Sequence, residues 1–184
     1  MKYGNEGKAR GKARCLLAQM DEDTIINFIN EINRVLKESG YLFLWLDKFH
    51  LCQGFFGWFV DTKLSIVDMI VWDKGKIGMG YRSRRKSEYL IVLQKSPVKA
   101  KSTWSDHTIP DVYTEVVKKI HPHSKPIGLQ SKLIAATTKE GDAVLDPAAG
   151  GFSVFEACKL LNEKPNPPAM LGRMELAEAV RITK

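Results

Sequence analysis

Residues 141–161, GDAVLDPAAGGFSVFEACKLL, read as a strand, a turn and a helix in succession. Ala143 to Leu145 is an apolar run short enough for a buried strand, and Asp146-Pro147 ends it. A turn of small residues follows (Ala148, Ala149, Gly150, Gly151), and Phe152 to Leu161 has helical spacing. Small side chains let a ligand approach the backbone, and a helix N-terminus presents N–H groups to an anionic group. Taken alone, the segment is equally an ordinary tight turn between strand and helix.

Outward from that turn, the chain alternates strands and helices. Asp21, Glu22 and Asp23 favour a helix start, Ile25, Phe28, Ile29, Ile32, Val35 and Leu36 recur at helical spacing, and Gly40 supplies a stop. Tyr41–Leu46 (YLFLWL) is predicted as a strand buried on both faces. A helix is expected through the fifties, a strand over Leu64–Trp72, a basic loop, and a strand over Glu88–Leu93 closed by a turn at Ser96-Pro97. Residues 97–120 show no clean period. A helix over 127–138 ended by Gly141 and a last strand near Ala169–Met174 complete the pattern. Such alternation predicts an α/β fold with a mostly parallel sheet and helices on both faces. The expected organisation is a mobile basic arm (1–20) and one domain (21–184), divided into 21–96, a short segment 97–120, and 121–184.

The chain has 184 residues, enough for one domain, and an ordinary share of hydrophobic (44%) and charged (27%) residues. No apolar run approaches the roughly 18 to 20 residues of a membrane span, and the basic N-terminus lacks the hydrophobic stretch of a secretory signal. Cys15, Cys52 and Cys158 are far apart and not in metal spacing, so reduced thiols in a cytoplasmic protein are expected. His121 and His123 lack a third ligand at useful spacing, and no metal is expected. Trp45, His50 and Cys52 read as core.

The net charge of +7 favours a polyanionic partner, and its clustering matters more than its size. Between Lys74 and Lys101 nine Lys or Arg face one acid, Glu88, and the first fourteen residues hold five bases against Glu6. In the loop before Glu88, Arg82, Arg84, Arg85 and Lys86 are candidate phosphate contacts, with Tyr81 available for stacking. A solvated charged hairpin is the plain alternative.

Two motifs in order give the turn its context. His121-Pro122-His123-Ser124-Lys125-Pro126 precedes a helix, and the Asp146-Pro147-Ala148-Ala149-Gly150-Gly151 turn follows it. This arrangement resembles the S-adenosylmethionine-dependent DNA amino-methyltransferases of permuted motif order, with H-P-T-Q-K-P, a helix, then D-P-F-x-G-S-G. INRVLKESGYLFLW resembles the helix-strand unit that follows catalysis in that family, and the likeness runs from Asp21 to Glu175. It implies a Rossmann-like methyltransferase fold, S-adenosylmethionine as cofactor, DNA as partner, and a cytoplasmic restriction-modification enzyme methylating adenine N6 in preference to cytosine N4. It assigns the cofactor to Asp146, Pro147, Ala148, Ala149, Gly150, Gly151 and Phe152, with His121, Lys125 and Glu175. Glu175 lies in a segment, MLGRME, similar to the family's F-I-G-x-E but one residue late; a surface acid at a helix start is its alternative.

Departures from the pattern are specific. Ala148 stands in place of Phe, and Gly151-Phe152-Ser153 in place of Ser-Gly-Thr. The D/N/S-P-P-Y/F/W tetrapeptide that binds and stacks the target base is absent; Asn166-Pro167-Pro168-Ala169 lacks the aromatic and reads as a Pro-rich turn. The resemblance therefore implies missing N-terminal strands, one of them between the cofactor strand and Tyr41–Leu46. A longer gene product is the favoured remedy, a separate chain or a different fold the others. A homodimer is a further expectation, as is the alternative of a non-catalytic remnant binding cofactor or DNA, or one subunit of a split enzyme.

Overall fold

The computed structural model describes residues 20–80, 82–117 and 124–162. Tyr81, His121, Glu175, the Pro-rich turn, the last strand and almost all of the basic arm lie outside them. The elements run α1 (Glu22–Val35), β1 (Tyr41–Leu46), α2 (Lys48–Gln53), a 3-10 turn (Phe56–Phe59), β2 (Leu64–Asp73), β3 (Ser87–Lys95), β4 (Val112–Thr114), α3 (Ile127–Thr137) and α4 (Ser153–Asn162).

Helix α1 begins where the acids predict. The Asp21 carboxylate accepts the Thr24 N–H at 2.8 Å, and Glu22 and Asp23 occupy the first turn. Its far end is closed by tertiary structure, because Lys95 Nζ on β3 donates to the Leu36 carbonyl at 2.6 Å.

The sheet has the order β1-β3-β2-β4. β3 is antiparallel to both β1 and β2, whereas β4 lies parallel to β2 over Val71–Asp73. Three strands point one way, but β3 enters between β1 and β2 from a hairpin, so the sheet is mixed and not mostly parallel. A short loop can reverse a strand only into an antiparallel neighbour; parallel pairing needs a long crossover.

Helices do cover both faces. Side chains alternate along β3, sending Ile91 and Leu93 to one side and Leu90, Val92 and Gln94 to the other. The first pair packs with Ile29 of α1, Leu46, Leu64, Phe55, Trp58 and Phe59. On the second side Leu90 and Val92 meet Ile70 and, from α3, Leu129 and Leu133, with Tyr41, Phe43, Trp45 and Trp104 around them. Each such side chain contributes roughly 1.5–3 kcal/mol by leaving water. Gln94 is buried too, but satisfied: its amide donates to the Ser39 and Lys99 carbonyls, and its oxygen accepts from Lys99 N at 2.9 Å.

Two strand expectations are corrected. β1 is half-buried along most of its length rather than fully enclosed, because it ends the sheet and pairs only β3 among the described residues. Ala143–Leu145 forms no strand; a ladder needs a neighbour, and none of the described strands reaches it. The segment keeps a strand's alternation even so, with Val144 turned inward and Leu145 exposed.

Candidate functional site

β1, β2 and β4 share one direction, so their carboxyl ends, Leu46, Asp73 and Thr114, lie along the edge of the sheet where β3 begins. Crevices at such ends are the usual ligand positions of α/β folds. The edge carries a charged bracket. Glu88, second residue of β3, receives Lys74 Nζ at 2.7 Å and Lys125 Nζ at 2.6 Å, one ammonium on each oxygen. Lys125 Nζ also lies 5.0 Å from the Trp45 ring centre and Lys74 Nζ 5.6 Å from that of Trp72; the two indoles meet edge to face at 5.9 Å. Burial raises the Glu88 carboxyl, and the two ammonium groups, Lys125 foremost, outweigh it, leaving the pKa below the ordinary glutamate value.

Lys125 is thus neither a solvated lysine nor an isolated positive charge. It is tied to β3, just ahead of α3. That helix starts at Pro126, which offers no side-chain cap, and Glu115 supplies one from the end of β4: its two oxygens accept Gly128 N at 3.2 Å and Leu129 N at 3.1 Å. Trp72 Nε1 donates to the Glu115 carbonyl at 2.9 Å, so the cap and the bracket share one support.

The Asp146–Phe152 turn sits at the head of α4. Asp146 Oδ1 accepts Ala148 N at 3.3 Å, and Phe152 N donates to the Ala149 carbonyl at 2.6 Å. Burial pushes the Asp146 carboxyl above the usual aspartate range, opposed only by that Ala148 N–H. Gly150 has φ +47° and Phe152 φ +57°. The left-handed conformation costs a side-chain-bearing residue roughly 1–2 kcal/mol, and Phe152 holds it where the methyltransferase pattern has glycine. Its ring is half exposed at the turn. α3 and α4 pack through Ile134, Ala157, Cys158 and Leu161, with Val144 and Val154 beside them, so the helices that follow the two sequence motifs are joined. Burial first, and the Asp146 carboxylate second, push the Cys158 thiol up to about 11.

Between β2 and β3, the basic loop folds back on itself. Lys74 N donates to the Lys86 carbonyl at 2.9 Å and Gly78 N to the Arg85 carbonyl at 2.7 Å, and Lys86 Nζ pairs with Asp73 at 2.8 Å. Arg82 and Arg84 are exposed, while Arg85 lies 5.9 Å from the Phe49 ring of α2. Of the four basic candidates, Lys86 is therefore engaged within the hairpin.

Several sequence readings shift. His50 and Cys52 are not core: α2 is a short, surface-lying helix with no buried residue, and His50 pairs with its cap Asp47 at 3.0 Å. Trp104, in the segment without a clean period, is packed edge to face against Tyr41 at 5.6 Å, its Nε1 bonded to the Asp106 carbonyl. Glu88, Lys74, Trp72 and Glu115 were missed. Glu88 carried one signal, as the lone acid of a basic stretch. Among the described residues no group of His, Cys, Asp and Glu is placed to hold a metal, and no helix is long and apolar enough to cross a membrane.

Comparison with known proteins agrees with this arrangement. Residues 19–183 match the family model described as N6/N4 DNA methylase. Over 164 residues the chain is 62% identical to the Type II methyltransferase M.HhaII of Haemophilus parahaemolyticus, covering 88% of this chain and 72% of that protein. A shorter stretch of 50 residues is 42% identical to the Type II methyltransferase M.HpaI of Haemophilus parainfluenzae, 27% of this chain and 16% of the relative. The fold matches the crystal structure of an M1.HpyAVI–SAM complex with a TM-score of 0.63 at 19% identity, covering 89% of this chain and 83% of that one. A turn of small residues at the head of α4, joined through α3 to a lysine at the strand ends and matched by the family model over almost the whole length, leads to one assignment: the chain belongs to the DNA methylase family.

Proposed function

We propose that this chain is the cofactor- and DNA-binding part of a Type II DNA amino-methyltransferase, acting on adenine N6 in preference to cytosine N4. The observation that carries the reading is the glycine-like backbone of the Asp146–Phe152 turn at the head of α4. The residues fit S-adenosylmethionine. Exposed small side chains at 148, 150 and 151 leave the backbone approachable, and the start of α4 favours an anionic group. When bound, the cofactor supplies an activated methyl group.

Each residue then has a task. Asp146 to Phe152 form the floor of the cofactor site, with His121 and Glu175 from outside the described residues. Lys125, held by Glu88, sets the charge at the strand ends without adding an unpaired ammonium. Arg82, Arg84, Arg85 and Lys86 meet phosphates, with Tyr81 as a stacking group. The acceptor and aromatic that hold a flipped base have no counterpart in these 184 residues, so catalysis requires them from outside this chain. The edge of β1 that pairs no strand among the described residues, and the Ala143–Asp146 segment, are where another strand would enter. That edge also favours a second reading, one subunit of a split enzyme acting in the cytoplasm, as a homodimer or with a chain that supplies the strand.

Calorimetric titration with S-adenosylmethionine, paired with a methyl-transfer assay on DNA, tests the proposal. Binding without transfer is expected. Transfer by this chain alone refutes the external catalytic strand, and absence of binding refutes the cofactor site.

A further inference from the structure

The first arm of the β2–β3 hairpin carries an exposed apolar pair close to its turn. Residues 74–86 hold six Lys or Arg and no acid, yet Ile77 and Met79 project from the same loop with 65% and 69% of their surface exposed. Scattered exposed hydrophobics need no explanation. Two at alternate positions of one arm, with Gly78 between them bonded across to Arg85 and Arg84 Nη2 4.0 Å from Met79 Sδ, form a surface of defined character: an apolar pair on the arm beside the exposed arginines of the turn.

The hairpin is also held in place. Besides the two backbone bonds across its stem, Lys48 Nζ reaches Ser83 Oγ at 3.2 Å from α2, and Gly75 N is bonded to Asp73 at 2.9 Å. The turn requires its glycines: a Cβ on Gly78 would lie 2.8 Å from the Arg85 carbonyl oxygen, and one on Gly80 would collide with that of Ser83. The hairpin leaves the sheet at the carboxyl end of β2, on the edge that carries the Glu88 bracket.

We infer that Ile77 and Met79 form a wedge that enters the base stack of duplex DNA while Arg82 and Arg84 grip the flanking phosphates. The inference rests on the DNA reading above and adds residues to it. An amino group inside a duplex is out of reach until its base leaves the stack, and unstacking costs a few kcal/mol. Apolar side chains inserted between base steps offset that cost, and Ile and Met are among the residues that serve in this way. Neither residue bears charge, so their part in binding is independent of salt, unlike that of the arginines.

Fluorescence anisotropy with the full chain tests this, using one mixed-sequence duplex either intact or with a single abasic position. The abasic duplex has already lost the stacking that a wedge must break. The unsubstituted chain is expected to prefer it by roughly tenfold. The double variant Ile77→Ser/Met79→Ser is expected to lose that preference with an unchanged salt slope, and Ile77→Leu/Met79→Leu to keep it. Arg82, unlike Arg84, has no bond to Met79, and Arg82→Ala is expected to lower the salt slope by about one unit and leave the preference intact. Retention of the preference by the serine variant overturns the wedge, as does equal binding of both duplexes by the unsubstituted chain. Failure to bind either duplex overturns the DNA reading itself. If the serine substitutions change the sedimentation of the free protein and leave both affinities alone, the apolar pair is a protein interface and the wedge is refuted.

Discussion

Replacement of Glu88 by Gln isolates the bracket at the strand ends. The carboxylate accepts two ammonium groups at 2.6 and 2.7 Å, and all three side chains are less than one-third exposed. Two unit charges about 4 Å apart attract by roughly 4 kcal/mol at an effective dielectric of 20, before desolvation is subtracted. Removing one partner of a buried pair leaves the other charge uncompensated and costs roughly 3–5 kcal/mol when burial is complete. Partial exposure here and the remaining amide oxygen reduce this, giving about 2 kcal/mol for Glu88→Gln. For a chain of this size, that lowers Tm by roughly 4–8 °C. The pH dependence has a definite sign. The folded-state pKa of Glu88 lies below its unfolded value, so its stabilisation is fully present above the ordinary glutamate pKa and disappears as pH falls through the folded value. Urea unfolding of both proteins from pH 7 down to pH 3 should show two curves that converge at the acid end. A loss below about 0.5 kcal/mol at pH 7, the level of a neutral surface substitution, would refute the bracket, as would a gap that persists unchanged at pH 3.

Four further outcomes follow from the geometry. Phe152→Gly removes left-handed strain and should be more stable than Phe152→Ala by about 1 kcal/mol in urea midpoints, and equal midpoints would mean the turn carries no strain. Glu115→Ala strips the cap from α3 and should cost roughly 1–2 kcal/mol, whereas Glu115→Gln, which retains an acceptor, should cost less; thermal melts of both variants decide it. The Cys158 thiol, held at about 11 against an ordinary 9, implies stability that is complete below pH 9 and falls as pH rises toward 11. Peptide mapping after maleimide treatment at pH 8 should find Cys52 modified well before Cys158, since the first is exposed and the second buried.

The sequence disclosed the elements better than their pairing. The start of α1 could be placed to within a residue because Asp21 and the isoleucine spacing are local signals. The antiparallel insertion of β3 was hidden, because pairing of Tyr41–Leu46 with Tyr89–Gln94 depends on groups nearly fifty residues apart. The Asp146 turn was legible as a motif, yet the backbone of Phe152 was not, since a bulky residue signals against a positive φ. Lys125 was marked by its place before Pro126, but its partner Glu88 lies 37 residues away and became visible only once β3 and the start of α3 met. His50 and Cys52 misled because an apolar neighbourhood in sequence is not burial in space.

The position of β3 also bears on how the molecule is made. β1 and β2 leave the ribosome before β3, and neither pairs with the other; both wait for a strand that arrives later. The chain must emerge as far as Lys95 before the central ladder can close, an interval in which YLFLWL and LSIVDMIVW expose unpaired apolar edges. Synthesis slowed within the basic hairpin would lengthen that interval, and a nascent chain halted before Ser87 should be captured by holdase chaperones more strongly than one halted after Lys95.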